Sequence, residues 1–369
     1  MPDLSEAPLI ARFRARGVPL AEIGNEGPQV PLSFGDGPAE QRSTRSAAGL
    51  FDFSFMACLE VRGPQAAVFL DRLQTRDLAR LPPGRLAYTL LLRDVGTVLV
   101  DATVWCLEAN RYWLVSGRRS DVDHVRAMAA EYDVEIDDRS ARTGVISVQG
   151  PRSAALLLRC GATSLPRFFQ FSDAILLGHH CLAARLGYTG EAGYELFVDA
   201  TDAPELWEGL AATGGALEIR ECGFEAADAL RIEAGFILFT RELAEPVTPY
   251  ELGLGRLVDF RNRPFAGSDI LAARRWREPT KAFVGLVLDG PGAPDIARRE
   301  RELAGPSSRS ATVTSVAYSA LFRRWLGLGF VRPENRYPGS VVSLPPRAPA
   351  RVARLPFYDP VRRLPRLAE

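Results

Sequence analysis

Residues 59–70 and 147–158 carry one local pattern twice, and that echo constrains the fold more than any other feature of the chain. Leu59-Glu60-Val61-Arg62-Gly63-Pro64-Gln65-Ala66-Ala67-Val68-Phe69-Leu70 resembles Ser147-Val148-Gln149-Gly150-Pro151-Arg152-Ser153-Ala154-Ala155-Leu156-Leu157-Leu158. Each copy reads as a strand ending at glycine, then a helix opened by proline, whose missing N–H costs nothing in a first turn. A β-hairpin follows each helix. The first runs from Leu86 to Leu92, turns at Arg93-Asp94-Val95-Gly96 and returns through Thr97 to Cys106. The second is centred on Gly187–Glu195. Ile175 to Leu186 feed in, Gly187, Gly190 and Gly193 allow a tight turn at positive φ, and Tyr194 to Val198 lead out with strand alternation. A repeated strand–helix–hairpin unit predicts an α+β fold with two pseudo-symmetric lobes, roughly residues 45–140 and 141–245, flanking a cleft. Two copies of a common local motif would also give an echo, but the repeated hairpins favour two lobes.

Elsewhere in this part of the chain, Ser120 or Asp121 is placed to cap a helix from Val122 to Tyr132, and Thr201 or Asp202 a helix reaching Ala212 with Trp207 buried. An amphipathic run from Phe224 to Ala234 stops at Gly235. The chain then changes character. Pro/Arg-rich segments at Arg274–Thr280 and Ala293–Ser308 separate short β-like runs at Ala282–Leu288, Ala311–Tyr318, Leu326–Val331, Ser340–Leu344 and Arg351–Leu355. Strands of this length and spacing predict a C-terminal β-rich barrel domain at residues 280–369, beyond a two-lobed region covering 1–272.

Composition excludes several classes of function. Lys+Arg and Asp+Glu both number 45, with no basic or acidic block, so nucleic acid and anionic membrane surfaces are not indicated as partners. Lys281 is the one lysine, which leaves no Walker-type phosphate loop. Cys58, Cys106, Cys160, Cys181 and Cys222 are scattered without a CxxC, and the three histidines form no ligand spacing with them, so neither structural zinc nor a disulfide framework is expected. With no signal pattern in Met1–Arg14 and no long apolar run, a cytoplasmic location is expected.

The Gly187–Glu195 run holds more chemistry than a hairpin tip needs, with two tyrosines and two carboxylates. Gly187-Tyr188-Thr189-Gly190-Glu191-Ala192-Gly193-Tyr194-Glu195 resembles the GYTGExGxE signature of the glycine cleavage T-protein family, tetrahydrofolate-dependent aminomethyltransferases and their demethylase-like relatives. The resemblance extends along the chain. Ala48-Gly49-Leu50-Phe51-Asp52-Phe53-Ser54-Phe55-Met56 is similar to AGLFDxSHM, and Leu230-Arg231-Ile232-Glu233-Ala234-Gly235 to LRxEAG. Thr248–Asp269, Val313-Thr314-Ser315 and Leu355-Pro356-Phe357-Tyr358-Asp359-Pro360 match further family segments in the same order. The resemblance implies tetrahydrofolate as cofactor, with Glu195 gripping the pterin and Tyr188, Met56 and Arg231 in or around its pocket. A carboxylate suits that role, because it accepts at once from a ring N–H and the adjacent exocyclic amine.

Three departures fall at functional positions. The family's GGxxDD strand is here Gly96-Thr97-Val98-Leu99-Val100-Asp101, so Val100 replaces the acid usually assigned to catalysis and Asp101 matches the second. Successive strand residues face opposite ways, so Asp101 takes over only if a bulge re-aims it; otherwise it is a polar strand residue bonded to nearby backbone. Ala227 replaces a folate-holding Arg, and Arg231 either supplies the lost cation or pairs with Asp228. Phe55 replaces a His. A less polar site argues for transfer of a methyl or methylene-level carbon from a small-molecule one-carbon donor, and against a lipoylated carrier protein. The alternatives are the authentic T-protein acting on an aminomethyl-lipoyl carrier, and a non-catalytic folate-binding member. The catalytic candidates are Asp101, Tyr188 and Tyr88, with nothing in the sequence to choose among them.

Overall fold

A computed structural model describes residues 7–23, 28–261, 264–289, 311–344 and 348–367. The Pro/Arg-rich stretch Ala293–Ser308 lies outside the described residues. Helix α1 (Ile10–Ala15) and a ribbon of β1 (Leu20–Glu22) and β2 (Gln29–Pro31) precede α2 (Gly37–Ser46) and β3 (Gly49–Asp52). The first echoed unit comprises β4 (Ala57–Arg62), α3 (Ala66–Leu73), β5 (Arg85–Leu92), β6 (Val98–Glu108), β7 (Arg111–Ser116), α4 (Asp121–Ala129) and β8 (Glu135–Asp138). The second comprises β9 (Thr143–Gln149), α5 (Ser153–Arg159), β10 (Phe171–Leu176), β11 (His179–Ala184), β12 (Gly193–Asp199), α6 (Ala203–Gly214) and β13 (Arg220–Glu221). Helices α7 (Phe224–Ala234) and α8 (Ser268–Arg274) lead to β14 (Ala282–Leu288), β15 (Ala311–Ser319), β16 (Arg324–Val331), β17 (Val341–Leu344) and β18 (Ala348–Ala353).

The echo is a true structural repeat. The first sheet runs β5-β6-β7-β4-β8 and the second β10-β11-β12-β9-β3-β13, so four strands correspond one for one, while β3 stands between β9 and β13 where the first sheet has β8 directly on β4. Gly63 and Gly150 end β4 and β9 at φ 133° and 136°. In both places the chain is pressed against foreign backbone. A Cβ at Gly63 would lie 2.6 Å from the Asp133 carbonyl oxygen, and one at Gly150 2.5 Å from that of Thr44. No other residue fits there, which is why the sequence repeats its glycine.

Two expectations change. The β5–β6 hairpin corresponds to β10–β11, which turns at Leu177-Gly178, and not to the Gly187–Glu195 run. That run is no tight hairpin. β11 and β12 pair only as far as Ala184 and Glu195, leaving a loop of eight residues, 185–192, between them. Of its glycines only Gly190 has positive φ, 81°. Gly187, within the loop, and Gly193, the first residue of β12, are needed for another reason. The side chain of Gln149 fills the space where their Cβ atoms would sit, 1.8 Å from Oε1 and 2.4 Å from Cδ. The lobe limits also shift, because β3 pairs with β9 in the second sheet although it precedes β4 in the chain.

The sheets meet edge to edge. Leu86 N–H donates to the Phe169 carbonyl at 3.1 Å and Phe171 N–H to that of Gly84 at 3.0 Å. β12 serves both cores by its pleat. Tyr194, Leu196 and Val198 pack in the second core with Trp207 and Phe13, while Phe197 turns to the first and meets Trp105 at 4.8 Å. Beyond the lobes, β15-β16-β14-β18-β17 form an antiparallel sheet whose outer strands β15 and β17 approach each other, giving the C-terminal β-rich, barrel-like domain. It sits on α7 through Ile232, which is buried with Leu326 and Leu328.

Candidate functional site

A cavity of about 890 Å³ lies where both lobes and the C-terminal domain converge. This is near the upper end of the range for small-molecule sites, about 300–1,000 Å³. Five sequence-predicted residues, Met56, Tyr88, Asp101, Tyr188 and Glu195, stand on its wall. Arg231 does not.

β6 delivers Asp101. Val98, Val100, Ala102 and Val104 alternate into the core, and the intervening face carries Leu99, Asp101 and Thr103. A bulge is present at Leu99, since Leu91 pairs with Val100 and Leu92 with Val98. Beyond it the pleat is regular and points Asp101 into the cavity while Val100 is fully buried in the core. The position that matters to the cavity is therefore 101. Tyr88, on the neighbouring β5, donates its hydroxyl to Asp101 Oδ2 at 3.0 Å. Burial pushes the Asp101 carboxyl up to about 6, against the lowering effect of that hydrogen bond. Burial, with Asp101 alongside, also lifts the Tyr88 phenol well above its usual range.

Glu195 is different. It sits on β12, 5% exposed, and its carboxylate makes no hydrogen bond or ion pair among the described residues. Burial alone pushes its carboxyl up to about 7. A buried carboxylate without a partner is costly and points to a ligand that supplies the missing donors.

Tyr188 contributes its ring. Its hydroxyl donates to the Ile237 carbonyl at 2.5 Å, and the ring stacks on Phe236 at 5.8 Å and 14°. With its proton engaged, Tyr188 serves as wall and not as a free acid. Arg231 is fully buried and spent elsewhere. It donates to Asp228 at 2.8 Å, Glu242 at 2.9 Å, the Phe236 carbonyl at 3.1 Å and Ser315 Oγ at 2.5 Å. Its expected place as a pocket cation is corrected to that of a buried link between α7 and the C-terminal domain, because the guanidinium is fully buried off the cavity wall with four of its five N–H groups engaged there. Ala227 is likewise buried, at 1% exposure in the core, and lines no part of the cavity.

Sequence reasoning gave no role to two further walls. The segment after α7 supplies Phe236 and Phe239, and the C-terminal tail supplies Tyr358 and Arg362. Arg362 lies over Phe236 at 5.5 Å; burial and the nearby Arg256 and Arg366 lower its pKa, and all three arginines line the cavity. The Leu355–Pro360 motif was the available signal for the tail, but nothing in it shows which way the chain folds back. Part of the wall is apolar, with Phe55 edge-on to Phe53 at 6.0 Å and Phe224 at 6.5 Å. Among the described residues no group of side chains is arranged to hold a metal ion, and all five cysteines are free and buried. No helix of the described residues is long and apolar enough to cross a membrane.

Two duplicated α+β sheets and an appended β domain, closing on one large cavity with a lone buried carboxylate, define a binding or transfer protein for a small organic molecule. Residues 23–262 match the GCVT N-terminal domain model and 281–359 the glycine cleavage T-protein C-terminal barrel domain, and the chain belongs to this family of folate-dependent aminomethyltransferases. It is 34% identical over 360 residues to an aminomethyltransferase from Rubrobacter xylanophilus, covering 96% of this chain and 94% of that protein. An aminomethyltransferase from Streptomyces coelicolor is 34% identical over 369 residues, with 96% and 98% covered. The crystal structure of the glycine cleavage system aminomethyltransferase T from Bartonella henselae superposes with a TM-score of 0.81 at 25% identity, covering 97% of this chain and 99% of that one.

Proposed function

We propose that this protein transfers the carbon of an aminomethyl group from the sulfur of a lipoylated carrier to tetrahydrofolate, breaking the C–S and C–N bonds and releasing the carrier's free thiol and ammonia. The observation that carries the reading is Glu195, a cavity-facing carboxylate with no partner of its own among the described residues. It fits the two adjacent donors of a pterin, and the stacked rings of Tyr188 and Phe236 suit a flat heterocycle beside it. Arg256, Arg362 and Arg366 on the cavity wall suit the carboxylates of a folate's glutamate. Tetrahydrofolate supplies the nitrogen that accepts the carbon. Asp101 supplies a negative charge where the carbon becomes cationic in transit, and Tyr88 holds that carboxylate still. The family relatives named aminomethyltransferase support the same reaction. Two sequence departures that argued against a carrier-borne donor lose weight. Val100 and Ala227 both lie in the core, so neither substitution takes a group from the cavity wall.

A second reading keeps one observation. The apolar wall of Phe53, Phe55, Phe224 and Phe239 favours a small methyl or aminomethyl donor in place of a carrier arm. Mass spectrometry of the folate product decides between them. Incubation with aminomethyl-lipoyl carrier should give 5,10-methylenetetrahydrofolate and ammonia. Product formed only from a small-molecule donor sinks the carrier reading, and tight folate binding with no product from any donor leaves a non-catalytic binder.

A further inference from the structure

Arg45, in the last turn of α2, ties together stretches of chain that the proposed chemistry does not use. Its side chain is 8% exposed. Nη1 donates to the Thr189 carbonyl and to Glu191 Oε1, both at 2.9 Å, while Nε and Nη2 donate to Glu233 Oε2 at 3.1 and 2.6 Å. The face of the guanidinium lies over the Tyr358 ring, 3.9 Å from its centroid. Glu233 accepts in turn from Ser319 Oγ at 2.5 Å, and its carbonyl accepts the N–H groups of Phe357 and Tyr358 at 2.9 Å. The Tyr358 hydroxyl completes the ring of contacts by bonding to Glu191.

Two of these stretches are cavity walls from different parts of the molecule. The 185–192 loop brings Gly187, Tyr188 and Gly190, and the tail of the C-terminal domain brings Leu355, Tyr358 and Arg362. Arg45 itself is not on the wall. It holds the loop by a carbonyl and a carboxylate and the tail by stacking, and Glu233 locks the assembly to α7 and β15. The planar fork is needed for this. A lysine ammonium offers no stacking face and cannot span both carboxylates with the same geometry.

We propose that Arg45 is a positioning residue that fixes the spacing between the 185–192 loop and the tail, and thereby sets the affinity of the cavity for its pterin ligand. The inference rests on reading the cavity as the tetrahydrofolate site. Because Arg45 touches neither the cavity nor Asp101, its loss weakens binding without slowing the chemical step.

The test uses the full chain with Arg45→Lys and Ser319→Ala. Amide exchange of residues 355–366 in the ligand-free enzyme reports on the clamp without any folate. Exchange should quicken in both variants, more in Arg45→Lys. The KM for tetrahydrofolate should rise about tenfold in Arg45→Lys and about twofold in Ser319→Ala, with kcat changed by less than about twofold. Wild-type exchange of the tail in Arg45→Lys overturns the proposal, as does a fall in kcat at unchanged KM. Should Arg45→Lys fail to fold, the same two readouts on Ser319→Ala decide. Faster tail exchange beside a wild-type enzyme that does not bind tetrahydrofolate supports the clamp and sinks the assignment of the cavity.

Discussion

The two lobes share the order of four strands, and the connection between the second and third of these differs in a way that shapes the cavity. In the first, β6 passes to β7 through the two residues Ala109 and Asn110; in the second, β11 passes to β12 through the eight residues 185–192. The short connection leaves a plain hairpin. The long one wraps Gln149, whose Nε2 donates to the Leu186 carbonyl at 3.2 Å and whose Oε1 accepts from Thr189 Oγ1 at 3.2 Å, and it projects Tyr188 onto the cavity. The lobes also differ in the state of the acid each contributes. Asp101 from the first sheet has a built-in donor in Tyr88, whereas Glu195 from the second has none among the described residues. A duplicated scaffold thus carries two unlike carboxylates, one held in place and one awaiting a ligand. On the proposed function, the first lobe would carry the chemistry and the second the recognition.

The comparison breaks most sharply at Asp101. Asp101→Asn keeps the shape but removes the charge, and kcat should fall by about 10²–10⁴ while the calorimetric affinity for tetrahydrofolate changes little. Full activity in that variant would reassign the chemistry to another group. Glu195→Ala should do the reverse, costing about 1.5–3 kcal/mol of tetrahydrofolate binding, the scale of hydrogen bonds to a charged group. A variant that binds normally would remove Glu195 from recognition.

A smaller effect concerns pH in the ligand-free enzyme. Burial raises the folded-state pKa of Glu195 from 4.5 to about 7, so between those values the folded chain holds a proton that the unfolded chain has released. Its contribution is fully present below about 4.5 and is lost as pH rises through about 7, on the order of 3 kcal/mol in all. Glu195→Gln should flatten that part of the stability curve in urea titrations. Tetrahydrofolate binding should run the other way, strengthening as Glu195 ionises through the same window, and calorimetry at stepped pH checks the sign.

Tyr88→Phe probes the built-in donor. Removing the hydroxyl takes away a hydrogen bond that lowers the Asp101 pKa, so the acid limb of the kcat profile should move to higher pH, with a several-fold loss at neutral pH. An unmoved limb would show that Asp101 does not need its partner. The smallest effect is on the chain as a whole. The proposed division between residues 1–272 and 280–369 predicts that limited proteolysis cuts at Arg274–Arg277, where the side chains are exposed, with cleavage inside Leu59–Ser116 counting against it.

Local pattern made much of this architecture legible. Helix α7 spans Phe224–Ala234 and β14 spans Ala282–Leu288, as their periodicity and flanking glycine require. The paired glycines 63 and 150 marked the repeat because only glycine tolerates backbone that close. The strand pairing inside the repeat was less legible. A hairpin reads the same from sequence whether it is the first or second of a three-strand meander, so β10–β11 and the 185–192 loop were conflated. Arg231 shows the other limit. Its spacing to Asp228 predicted a possible pair, but Glu242 and Ser315 lie 11 and 84 residues further along the chain, and only their arrival uses up the guanidinium.

What the sequence determined by itself was the set of groups and the faces they occupy: the alternation of β6 separates Asp101 from Val100, and that of β12 separates Glu195 from Tyr194. Side-chain period in a strand is a local property, so it survives any rearrangement of the rest. Which of those faces looks onto a cavity, and which acid finds a partner there, was decided by the tertiary structure. Tyr88 reaches Asp101 because β5 pairs with β6, the Glu195 carboxylate has no hydrogen-bond partner among the described residues, and the tail that closes the cavity arrives from more than 150 residues away. Burial and partnership depend on the whole molecule, and these two set the charge state of each carboxylate.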